Sequence, residues 1–146
     1  GIASGLPLGA TIAPAKIMNW EAGSHASTFG GNPLSCRASL ATIELLEKNM
    51  MKNAAKQGER LMKGLVAMQK NFECMGDVRG RGLMVAVELV KDRETKEPAT
   101  KWRSRIIKKS FEKGLLFLGC GENIIRFSPS MSVTSDEVDS CLSIFE

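Results

Sequence analysis

The tightest constraint on what this chain can fold into is a change of hydrophobic period near residue 71. Before it, apolar residues recur at helical spacing. Leu34, Ala38, Ala41 and Leu45 form one set. Leu61, Leu65 and Met68 form a second, ringed by Lys56, Arg60, Lys63 and Lys70. After it, Phe72–Val78 and Leu83–Val90 are apolar, β-compatible runs on either side of Arg79-Gly80-Arg81-Gly82, which predicts strand, tight turn, strand. The helical period returns over Lys101–Lys113, where Trp102, Ile106 and Ser110 step by four and Gly114 suits the position just past a helix end. Leu115–Leu118 and Asn123–Phe127 read as short strands around Gly119-Cys120-Gly121. Thr134-Ser135-Asp136-Glu137 has the form of a capping box opening a last helix to Glu146. Helices alternating with short strands predict an α+β layered unit over 51–146.

Residues 1–50 read differently. Gly1, Gly5, Pro7 and Gly9 punctuate a loop, with Leu8–Ala13 as a short buried strand. Glu21–Pro33 is a second loop, in which Asn32 suits a helix N-cap and Pro33 the first helical turn. Polar residues at Asn49–Asn53 separate the first helix from the second.

Composition narrows the function classes. Hydrophobic residues at 43% and charged residues at 25% describe a globular chain. A net charge of +4 spread along the chain, with 5% aromatics and no Tyr, argues against a nucleic-acid surface built on stacking rings. No apolar run reaches membrane-spanning length, so neither nucleic acid nor membrane is an expected partner. Cys36, Cys74, Cys120 and Cys141 form no CxxC pair and His25 is the sole histidine, so no metal site is expected. Set among small and apolar residues, these cysteines read as reduced thiols of a cytoplasmic protein. A length of 146 residues suits one domain, but a start at Gly1 rather than Met and a last helix that stops while still amphipathic lead us to expect a piece of a longer chain.

The chemistry concentrates in His25-Ala26-Ser27-Thr28-Phe29-Gly30-Gly31-Asn32-Pro33. Two hydroxyls precede two glycines and a helix start. Hydroxyls and backbone N–H groups at a helix entry suit a phosphate, and glycine lets backbone approach a ligand closely. The same pattern also describes an ordinary glycine-rich loop with an N-cap. Arg126 on its own reads as a surface ion pair.

That nine-residue string resembles the signature of class-III aminotransferases. Three further strings resemble the same family in the same order: Gly1-Ile2-Ala3-Ser4-Gly5-Leu6-Pro7-Leu8-Gly9, Gly76-Asp77-Val78-Arg79-Gly80-Arg81-Gly82-Leu83-Met84 with Glu88 following, and Asn123-Ile124-Ile125-Arg126-Phe127-Ser128-Pro129. The resemblance implies an α/β fold, the fold-type-I pyridoxal-phosphate transferase. Residues 1–50 would be the end of its large cofactor-binding domain with a connecting helix, and 51–146 its small C-terminal α+β domain.

It also implies roles. Thr28, with Ser27 beside it, would contact the phosphate of pyridoxal 5′-phosphate bound by the neighbouring subunit of a homodimer or higher assembly. Arg126 would bind the substrate carboxylate, or pair with an active-site glutamate until one arrives. The Schiff-base lysine would stand immediately before Gly1, so no catalytic residue is expected within the chain, Lys16 included, and the chain alone is expected to be inactive. The reaction implied moves an amino group from an amino acid to a 2-oxo acid such as 2-oxoglutarate. Gly76–Met84 and Lys91-Asp92-Arg93-Glu94-Thr95-Lys96-Glu97-Pro98 look closest to 4-aminobutyrate aminotransferases. Acetylornithine or ornithine aminotransferases and amino-acid racemases of the same family are the alternatives, and a non-catalytic interaction domain is the alternative of another class. Two departures stand out: Ala26 replaces a frequent glycine, and Ser130 replaces a proline usual after the arginine motif. His25 is expected to order its loop, and Arg79 and Arg81 to pair or solvate the turn between the first two strands.

Overall fold

Asn32 starts the first helix as its side chain predicts. Its Oδ1 accepts from the N–H groups of Leu34 (3.0 Å) and Ser35 (3.1 Å), and Pro33 opens the helix α1, Pro33–Leu45. The computed structural model describes all residues Gly1–Glu146 and divides into two compact units, Gly1–Asn49 and Met50–Glu146.

In the first unit α1 is the only regular element before a short π-helical turn, Leu46–Met50. It buries Ser35 and Ser39, while Leu34, Ala41 and Leu45 face solvent. The apolar set read from spacing is therefore not the packed face. The N-terminal turn packs through small groups: Ala3 is buried, and Ser4 Oγ lies 2.9 Å from Thr42 Oγ1. Leu8–Ala13 is not a strand and is not buried. This unit contains no second strand to satisfy its backbone, and Ile12 is 94% exposed. Nor does Asn49–Asn53 break the helix, because the chain runs through the π turn directly into α2, Met51–Asn71.

The second unit holds the core. Leu61 and Leu65 of α2 face a four-stranded antiparallel sheet ordered β1-β2-β4-β3, with β1 Met75–Arg81, β2 Met84–Leu89, β3 Leu118–Cys120 and β4 Ile124–Phe127. Val85, Val87, Leu89, Ile125 and Phe127 alternate onto the helix-covered face, as period 2 requires. Helix α3, Thr100–Glu112, ends at Gly114, whose φ of 88° takes the left-handed position expected past a C-terminus. Helix α4, Ser135–Phe145, starts with the full capping box of Thr134 and Glu137. Phe117, Phe127 and Phe145 meet edge to face, with centroids 4.7 to 5.5 Å apart.

The β1–β2 turn lies later than the spacing suggests. Arg79, Gly80 and Arg81 belong to β1, paired with Ala86, Val85 and Met84, and the turn is Gly82-Leu83 with Gly82 at φ 56°. Gly80 has no unusual φ. It is required by closeness, since an added Cβ would overlap the backbone of Met84 and Val85. Helix α2 shows the same intimacy: a Cβ on Gly58 would overlap the Gly82 carbonyl. Cys120 is exposed rather than set among apolar side chains, and all four cysteines are unpaired.

Candidate functional site

Two places carry the predicted site residues. Ser27 and Thr28 belong to the first unit and Arg126 to the second.

The Ser27–Asn32 loop closes through an Asn32 N–H to Phe29 carbonyl bond of 3.3 Å, with Gly31 at φ 71°. Gly30 runs under Ser27 so closely that a Cβ there would sit 3.0 Å from Ser27 Cβ and 3.2 Å from its Oγ. The backbone donors at the helix entry are not free, which corrects the sequence argument. Pro33 has no N–H, Leu34 and Ser35 donate to the Asn32 side chain, and Cys36 donates to the Asn32 carbonyl at 2.9 Å. What remains for an anion is the pair of exposed hydroxyls, Ser27 and Thr28, with the N–H groups of residues 28–31, which donate to no acceptor within the chain. His25 stacks against Trp20, with centroids 6.0 Å apart and planes 17° from parallel.

Arg126 sits on β4, an inner strand laddered to β2 through Ala86 and to β3 through Leu118. Its row on the sheet, Arg79–Ala86–Arg126–Leu118, lies on the face away from the core. The two arginines of that row differ in state. Arg79 is neutralised by Asp77 at 2.6 Å and Glu88 at 2.8 Å, which hold its guanidinium more firmly protonated. Arg126 is exposed and takes part in none of the ion pairs, so its fork is available. Arg79 thus pairs across the strands, while Arg81 is exposed at the end of β1.

Arg126 lines a groove of about 530 Å³ together with Leu116, Leu118, Ser128, Ser130 and Glu137. Glu137 is committed to the capping box. Its carboxylate accepts from Thr134 N–H at 2.8 Å and from the Thr134 hydroxyl at 3.0 Å, and these bonds hold it below the usual carboxylate range. Burial pushes the Cys141 thiol at the groove up to about 11, so it stays neutral near pH 7. The groove that Arg126 lines therefore has apolar walls, hydroxyls and one occupied carboxylate.

After β4 the chain forms a closed turn. Val133 N–H donates to the Ser130 carbonyl at 3.0 Å, and the Ser130 hydroxyl lies 2.8 Å from that of Ser132. Ser130, where a proline is usual, contributes a side-chain bond to the turn. Asn53 of α2 holds the same turn from outside: its Nδ2 donates to the carbonyls of Met131 at 2.8 Å and Val133 at 3.0 Å. Sequence reasoning passed over Asn53 as a polar break. No local signal marks it, because its partners lie 78 and 80 positions away.

Comparison with known proteins places this geometry. The family model for class-III aminotransferases matches residues 1–146. The chain is 42% identical over 148 residues to a 4-aminobutyrate aminotransferase of Mycobacterium tuberculosis, covering 99% of this chain and 33% of that protein. It is 40% identical over 147 residues to a leucine/methionine racemase of Thermococcus litoralis, with 99% and 33% covered. Among solved structures, an amine transaminase from an uncultivated Pseudomonas species in its PLP-bound form superposes with a TM-score of 0.78 at 33% identity, over 84% of this chain and 28% of that one. The chain spans about a third of the length of the curated relatives it matches. No helix is long and apolar enough to cross a membrane. With a mixed helix-and-sheet architecture shared with fold-type-I transferases and a family match over its whole length, the chain belongs to the class-III aminotransferases.

Proposed function

We propose that this chain supplies two recognition elements of a pyridoxal-phosphate-dependent aminotransferase: a phosphate contact at Thr28 and Ser27, and a carboxylate contact at Arg126. The observation that carries the reading is the uncommitted Arg126 fork on an inner strand, two strands along the same row from an Arg79 that is already neutralised. When bound, the cofactor supplies an electron sink for bond cleavage at the amino carbon. The residues present fit its phosphate, since two exposed hydroxyls stand on an open loop. In a homodimer Thr28 would reach the cofactor of the neighbouring subunit. Arg126 holds the carboxylate of the amino acid and then of the 2-oxo acid, so both halves of the exchange share one anchor. Residues 1–50 would close the large domain and 51–146 form the small one. No lysine of this chain is assigned to the cofactor.

Among substrates, 4-aminobutyrate with 2-oxoglutarate is the leading pair, supported by the 42% identity to a 4-aminobutyrate aminotransferase. Racemisation of an amino acid is the second reading, supported by the 40% identity to a racemase. We place the enzyme in the cytoplasm.

The test uses the complete protein, with the whole length of its relatives. Arg126→Lys should raise the KM for carboxylate substrates about tenfold and leave kcat nearly unchanged, because one arm of a bidentate contact is lost. Thr28→Val should weaken cofactor retention on dialysis. Unchanged KM in the first variant and unchanged retention in the second would overturn the two assignments separately. Incubating a single enantiomer with and without a 2-oxo acid decides between transfer and racemisation.

A further inference from the structure

Between Phe127 and Thr134 the chain passes from the strand bearing Arg126 to the helix bearing the capping box, and part of that passage walls the groove in which Arg126 stands. Its two ends are fixed, one by the β2 and β3 ladders and the other by the Thr134–Glu137 box. Its middle, Ser130–Val133, has internal bonds but exposes most of its surface, and Met131 and Val133 are only half-buried. Val133 packs against the core, and the side-chain hydrogen bonds that tie the turn to the body of the unit come from Asn53, whose amide donates to two of its carbonyls at 2.8 and 3.0 Å. An amide with two N–H groups is the one short neutral side chain that can clamp two carbonyls at once.

A second residue sets the direction of that clamp. Gln57, one helical turn on, is 5% exposed, and its Nε2 faces Asn53 Oδ1 at 3.5 Å. With Oδ1 turned toward Gln57, Asn53 must aim Nδ2 at the turn. Gln57 Oε1 is buried with no partner, a cost that packing alone would have removed by an apolar side chain. The pair therefore gives Asn53 a direction, with Gln57 Nε2 on its oxygen side and two carbonyls on its nitrogen side.

We infer that Asn53 is a positioning residue for carboxylate recognition, holding the Ser130–Val133 turn so that the groove wall beside Arg126 keeps the shape a carboxylate-bearing substrate needs. Gln57 orients Asn53. This rests on the reading of Arg126 given above. Asn53 touches neither the cation nor the groove itself and acts only through the turn.

The experiment uses the complete enzyme loaded with its cofactor and follows the first half-reaction with two donors: an amino acid bearing a carboxylate, and a primary amine without one. Asn53→Leu keeps the volume and removes both donors. It should raise the KM for the amino acid about tenfold, leave kcat within about twofold, and leave the KM for the simple amine unchanged. A merely structural role would move both donors together, or neither, and either result overturns the inference. A wild-type enzyme active on neither donor overturns the functional reading and this inference with it, whereas an active wild type isolates the fate of Asn53. If Asn53→Leu does not fold, Gln57→Met carries the test, since it removes a buried unpartnered oxygen. It should shift the amino-acid KM about threefold in the same selective way, and no selective shift overturns the proposal.

Discussion

The two units bury their apolar residues on different terms. Residues 50–146 put Leu61, Leu65, Val85, Val87, Ile125 and Phe127 into one core, and three phenylalanines interlock at its end. Residues 1–49 bury one hydrophobic side chain, Ala3, and leave Phe29 72% and Leu34 68% exposed. One stretch is a self-sufficient packing problem and the other is not. Local rules therefore predict both the elements and the inward faces of the second unit. In the first they predict the capped helix but not its packed side. A segment of this size with no sheet removes too little apolar surface to hold itself together.

Separating the units would test that comparison most severely. Residues 50–146 alone should unfold cooperatively on heating, whereas 1–49 alone should show no transition by circular dichroism. A cooperative melt of 1–49 would break the contrast.

A single methyl group gives the next largest difference. Gly58→Ala should destabilise the protein by about 2 kcal/mol, because an overpacking cost of about 3 kcal/mol against the Gly82 carbonyl outweighs the roughly 1 kcal/mol that alanine gains in a helix. Gly9→Ala, with nothing within 4 Å and no positive φ, should stay within about 0.5 kcal/mol. Denaturant midpoints measure both.

The smallest effect concerns acid. The carboxyls held below their usual range, among them Glu137 by the Thr134 bonds and Asp139 by Arg60, lie in the second unit. A depressed carboxyl stabilises above its unfolded value, and that contribution is lost as pH falls through its folded value. Glu137→Gln keeps a capping-box side chain but cannot protonate in this range. It should therefore flatten the decline in Tm as pH falls below the ordinary glutamate range. An acid limb as steep as wild type would show that the box does not contribute to it.

Much of the second unit was legible because its signals are local. A capping box spans four residues, Gly114 marks its helix end by itself, and strand alternation needs only neighbours. The position of the β1–β2 turn was not legible. Gly80 and Gly82 look alike in sequence, and only the pairing of Arg79 with Ala86 decides which one turns. The exposed Leu34 and Leu45 misled for a related reason, since helical spacing names a face but not what covers it. Thr28 and Arg126, the proposed phosphate and carboxylate contacts, are singled out through motifs. That the α1 donors were already spent required the Asn32 geometry, and Asn53 required contacts across the length of the unit.

The inner placement of β4 separates two things that substrate choice needs. The stem of Arg126 is laddered on both sides, while residues 128–133 form a turn tied to α2 by one amide. Charge and contour can then change independently. Exchanging those six residues would reshape the groove without displacing the Arg126 guanidinium, the proposed carboxylate contact. If Arg126 holds the carboxylate as proposed, a lineage built on this arrangement can diversify its substrates while keeping the functional group they share.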